Sequence, residues 1–86
     1  MGSIYNTSLN TMAKTRTLTA TFQDGTVETR KTARTYTHIV RAFHNEIPFF
    51  FTWCGRTDLM RNQVKQAKKR GATRIDVAEV NDPWAA

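Results

Sequence analysis

A single cysteine, Cys54, among 86 residues rules out any internal disulfide. Small secreted domains usually depend on such bridges, so a reducing, cytoplasmic compartment is the expected setting. No stretch approaches the roughly 18 apolar residues of a transmembrane helix. The N-terminus shows neither the basic start nor the apolar run of a signal peptide, and no membrane role is expected. Acidic residues are scarce: seven Asp and Glu against thirteen Lys and Arg leave a net charge of +6. So little acid argues against mimicry of DNA, whereas the basic excess favours polyanionic partners such as nucleic acid. The same excess also serves plain solubility. No internal repeat is present, and nothing after residue 13 reads as a linker.

Equipment for catalysis is thin as well. His38, His44 and Cys54 are too few and too irregularly spaced for a structural zinc site, which wants four ligands. No Gly-rich loop precedes a helix to cradle phosphate. Asp76, Glu79 and Asp82 read as a solvated strand edge that discourages edge-to-edge pairing. A non-enzymatic protein without metal or cofactor is the expectation.

What the chain does have is enough apolar and aromatic material for one small core: 40% hydrophobic residues, with five Phe, two Trp and two Tyr. A chain this short buries only about 60% of the surface its unfolded form exposes, so its stability margin is thin. Residues 1–13 are polar and aperiodic and read as a disordered tail, with Met12 a candidate second translation start. Residues 14–86 read as a single α+β domain.

In that domain Leu18, Ala20 and Phe22 alternate with Thr17, Thr19 and Thr21, the period-two pattern of a strand with one wet face. Asp24-Gly25 is a two-residue hairpin signal that would set Val27 across from Phe22 and Glu28 across from Thr21. Residues 36–43 fit helical spacing at Tyr36, Ile39, Val40 and Phe43, yet their Thr, Tyr, Ile, Val and Phe content favours strand. A second hairpin with Pro48–Cys54 accounts for both segments. A five-residue loop, His44–Pro48, would place His38 opposite Cys54, a neighbour pair able to activate a thiolate. A four-residue loop would instead join Val40 and Ala42 to Phe49, Phe51 and Trp53 on the core side and leave Thr37 and Arg41 in water. The second register is the better patterned and is expected.

After Gly55 a helix begins, with Thr57 as candidate N-cap and Asp58 in the first turn. Leu59, Met60, Val64 and Ala67 share one face, and Gly71 supplies the left-handed stop. A last strand carries Ile75 and Val77 inward, and Trp84 is a candidate lid. The predicted order is β-β-β-β-α-β: an antiparallel β-sheet with one helix packed on one face and a partly open second face.

Two surfaces stand out. Arg61, Lys65, Lys68 and Lys69 fall opposite Leu59, Val64 and Ala67 and stack as a ridge about 12 Å long. With Arg56 and Arg70 extending it, this ridge matches a phosphate backbone, although surface helices are commonly Lys-rich and basic residues near a helix C-terminus suit its dipole. The second surface is Phe50, which alternation sends away from Phe49 and Phe51. Beside Thr17, Thr19 and Thr21 it would form a protein interface, with a homodimer or a host protein as partner.

The segment Ala20–Phe43, with its DGT hairpin and the run Arg34-Thr35-Tyr36-Thr37-His38 entering an apolar strand, resembles small accessory proteins encoded by phages of actinobacteria. The RTDLM helix start and the closing strand are similar too. The likeness covers roughly residues 14–80. It implies a role in host takeover, defence evasion or prophage maintenance inside the host cytoplasm, and it assigns no residue a function.

Overall fold

The computed structural model describes residues 14–85. The tail expected over 1–13 lies outside the described residues. The elements are β1 (Arg16–Thr21), β2 (Val27–Thr32), β3 (His38–His44), β4 (Ile47–Cys54), α1 (Thr57–Lys69) and β5 (Arg74–Asn81). The fold is α+β in the predicted order, and residues 38–44 are strand. One antiparallel sheet runs β2-β1-β5-β3-β4.

The last strand is therefore the middle one. β5 pairs with β1 on one side and β3 on the other. This corrects the reading of Asp76, Glu79 and Asp82 as a solvated edge: Asp76 and Asp82 are counter-ions for buried arginines. The actual edges are β2 and β4.

Both hairpins depart from the expected registers, each for a local reason. In the first, Phe22 N–H donates to Thr26 O and Gly25 N–H to Phe22 O, both at 2.9 Å. The loop thus holds three residues, and among them only Gly25 takes positive φ, 91°. Thr21 faces Val27 and Ala20 faces Glu28, one residue from the register of an Asp-Gly turn. Asp24 explains the shift. Its carboxylate accepts from Thr26 N–H (3.0 Å) and from Arg41 (2.8 Å), an Asx-type turn that leaves the left-handed position to glycine.

In the second hairpin Asn45 and Glu46 both take positive φ, 51° and 67°, a two-residue turn of the type that follows strand twist. Phe43 then faces Pro48 while Ala42 faces Phe50, so Phe49 is an extra, bulged residue. Pro48 has no N–H to continue a ladder, and a bulge accommodates it. Beyond the bulge His38 faces Cys54 and Arg41 faces Phe51. The expected register, with Val40 and Ala42 on the side of Phe49, Phe51 and Trp53 and with Arg41 in water, is thereby corrected: Arg41 shares a face with Ile39, Phe51 and Trp53, and it is buried.

Helix α1 lies across β3 and β4. On that face Val40, Ala42 and Cys54 are buried beneath it, with Ala67 the buried helix residue. On the opposite face Ala20, Phe22, Ile39 and Ala78 cluster, flanked by Trp53 and Val80. Ile39 through Ala42 are consecutively buried because β3 is covered on both sides. Fully burying a side chain such as Ile39 or Leu18 contributes about 1.5–3 kcal/mol. The sheet curls around this second face, bringing Arg30 of β2 to 4.8 Å from the Tyr36 ring and 5.7 Å from the Trp53 ring of β4.

Several expected burials are revised. Phe51 lies on the concave side and stays 48% exposed, Phe49 40%, whereas Phe50 turns toward the helix side and is half-buried. Ala78, not Val77, is the buried residue of β5, since α1 does not extend over that strand. Leu59 sits at the margin of the helix stripe and is 38% exposed. Trp84 is exposed, with the Arg16 guanidinium 4.3 Å over its ring.

Candidate nucleic-acid interface

Helix α1 starts and stops for reasons visible in its flanks. The N-cap is Arg56, in extended conformation and without a side-chain cap bond, so Thr57 is the first helical residue and not the cap. Asp58 supplies first-turn negative charge and pairs with Arg56 at 3.2 Å. At the other end Gly71 takes φ 96°, and Ala72 N–H reaches back to Ala67 O at 3.1 Å. That left-handed closure satisfies orphan carbonyls that would otherwise need water. His44 closes the same end, its Nδ1–H donating to Gly71 O at 2.8 Å.

Arg56, Arg61, Lys65, Lys68, Lys69 and Arg70 are all exposed. Among the described residues Arg61, Lys65, Lys68, Lys69 and Arg70 meet no carboxylate. At 100° per residue Lys65 and Lys69 stand opposite the Met60–Ala67 stripe, with Arg61 and Lys68 beside them. Arg70 does not join them: it points about 140° away from Lys65 and roughly opposite Arg61, whereas Lys68 lies about 20° from Arg61. Arg56 is tied to Asp58. The ridge that the fold assembles is Arg61, Lys65, Lys68 and Lys69, headed by one carboxylate.

Arg16, Arg41 and Arg74 have a different fate. Arg41 sends Nε to Asp76 (2.9 Å) and Nη2 to Asp24 (2.8 Å), with its guanidinium 3.9 Å over the Phe22 ring and 5.3 Å over Phe43. Burial alone would lower its pKa; the bonds to Asp24 and Asp76 outweigh that and raise it. Asp24 is held down from 3.8 to about 2, first by the Thr26 amide and side chain, then by Arg41. Arg16 is bidentate to Asp82, Nε to Oδ1 at 2.9 Å and Nη2 to Oδ2, and also donates to Thr32 O (2.8 Å). The hydrogen bond from Arg16 holds the Asp82 carboxyl below the usual range. Arg74 reaches Glu46 at 2.6 Å and lies 4.0 Å over Phe43.

The other sequence-predicted features are not assembled into sites. Phe50 and Thr17, Thr19 and Thr21 lie on the same side of the sheet, but β5 and β3 separate their strands and α1 covers the Phe50 end. They form no continuous interface. Cys54 does sit across from His38, yet His38 Nδ1 is 2.9 Å from Thr37 Oγ1, and burial pushes the Cys54 thiol pKa up. A nucleophilic cysteine requires the opposite shift. No group of three or more His, Cys, Asp and Glu able to hold a metal exists among the described residues.

Two features escaped sequence reasoning: the Arg41 hub and an aromatic groove of about 530 Å³ along β4, lined by Glu28, Arg41, Phe43 and Pro48–Phe51. The signal for the first was one cation inside the apolar run Ile39–Phe43. No family model, curated protein or solved structure matches this chain.

Proposed function

We propose that this protein is a non-enzymatic binder of nucleic-acid phosphates, with the ridge Arg61, Lys65, Lys68 and Lys69 as its contact surface. The observation that carries the reading is the segregation of charge. Arg16, Arg41 and Arg74 of the sheet are consumed by carboxylates, while the four ridge cations are left solvated, without a carboxylate and on one face of the helix. Unpaired cations at helical spacing neutralise phosphates and release counterions, a term that needs no base contact and gives little sequence preference. A role of this kind suits the phage accessory proteins that the sequence resembles.

The test is binding to duplex DNA and single-stranded RNA by wild type and by the triple variant Arg61→Glu, Lys65→Glu, Lys69→Glu. Log affinity of the wild type is expected to fall linearly with log salt, with a slope reporting roughly three to five phosphates. Binding by the triple variant is expected to be lost. Absence of wild-type binding at about 50 mM salt, or undiminished binding by the variant, overturns the reading.

A further inference from the structure

We propose that β4 is a self-association edge, pairing antiparallel with β4 of a second copy about a twofold axis at Phe51. The two edges of the sheet are unlike. β2 (VETRKT) carries Glu28, Arg30 and Lys31 along its length, the charged blunting that keeps an edge from pairing. β4 (IPFFFTWC) carries no charge, and Ile47 (66%), Phe49 and Phe51 are exposed on it.

The hydrogen-bond phase shows what this edge offers. The carbonyls of Thr37 and Phe43 both point toward β5, accepting from Val80 N–H (2.9 Å) and Thr73 N–H (2.8 Å). Backbone groups alternate along a strand, so His38, Val40 and Ala42 turn theirs to β4. Their partners Cys54, Thr52 and Phe50 turn theirs back. Phe51 and Trp53 are left with outward N–H and C=O groups. Pairing centred on Phe51 uses these groups, sets Phe51 beside its symmetry mate and Phe49 beside Trp53, and asks nothing of Pro48.

Charge selects the same register. Glu46 and Arg56 bracket β4 at equal sequence distance from Phe51, and both side chains are about 70% exposed. In this arrangement each Glu46 faces the partner's Arg56, twice by symmetry. The axis runs through the sheet, so both α1 helices fall on one side of the joined sheet. The association does not depend on phosphate binding.

Sedimentation of the full chain over a concentration series, without nucleic acid, tests this. A monomer–dimer equilibrium is expected, and Phe51→Lys, which sets like charges across the axis, is expected to leave monomer with an unchanged far-UV spectrum. Glu46→Arg alone or Arg56→Glu alone should each weaken the dimer about fivefold, and the double swap should restore it. Restoration distinguishes pairing across the axis from loss of the internal Arg74 and Asp58 contacts, which the double swap does not repair. Monomer at about 1 mM, a dimer indifferent to Phe51→Lys, or a double swap weaker than either single one overturns the proposal.

Discussion

On the concave side of the sheet Arg16 and Arg41 are buried and each is held by carboxylates, whereas on the outer face of α1 Arg61, Lys65, Lys68 and Lys69 are exposed and meet none. The same charge thus does different work in the two regions. A buried guanidinium must be compensated or its desolvation would cost several kcal/mol, and Asp24, Asp76 and Asp82 compensate it here. With Asp24, Asp76, Asp82 and Glu46 drawn to the sheet arginines, the four ridge cations are left without a counter-ion. Scarcity of acid and segregation of acid together make the ridge.

Removing Arg41 should break this contrast most severely. Arg41→Met leaves Asp24 and Asp76 without their shared partner and uncovers the Phe22 ring. A loss of about 2–4 kcal/mol in urea unfolding is expected, the lower part of that range because the half-exposed Asp24 can rehydrate. For a domain of this size that is a large share of total stability. A loss under about 0.5 kcal/mol, typical of a surface site, would show that Arg41 behaves like the helix cations.

Acid should produce a smaller effect with a defined direction. Asp24 titrates near 2 in the folded protein against an ordinary 3.8, so the unfolded chain binds the proton more readily. The stabilisation from its ionised form is complete above about pH 5 and is lost progressively as pH falls toward 2. Asp82, also depressed, acts in the same sense. Unfolding free energy measured between pH 5 and 2 should fall with acid, and Asp24→Asn should flatten that limb while leaving the helix untouched. An unchanged slope would remove Asp24 from the linkage.

The smallest effect belongs to the ridge. Arg61→Glu, Lys65→Glu and Lys69→Glu together should change stability by no more than about 0.5 kcal/mol per site, even as phosphate binding disappears. A thermal melt supplies the comparison: a drop approaching that of Arg41→Met would mean that the ridge supports the fold and is not a free surface.

Much of the candidate site was legible in sequence because it is local. Helical spacing put Arg61, Lys65 and Lys69 opposite Ala67, and Gly71 marked the stop, without reference to any other element. The concave side was not legible. A single bulge at Phe49, beside a proline that cannot donate, shifts β3 against β4 by one residue, and in a period-two structure one residue exchanges faces. Arg41 passed from solvent to core by that step, and Phe50 and Phe51 traded places.

Local sequence by itself determined the strands, the helix with its stop and its charged face, since alternation, helical spacing and left-handed glycine act within a few residues. Only the tertiary structure decided that β5 lies in the middle of the sheet, that Asp24 and Asp76 converge on Arg41, and that β4 is left as an aromatic edge. Those outcomes join residues as far apart as Arg16 and Asp82. They depend on burial and ion pairing summed over the whole sheet, which no local pattern encodes.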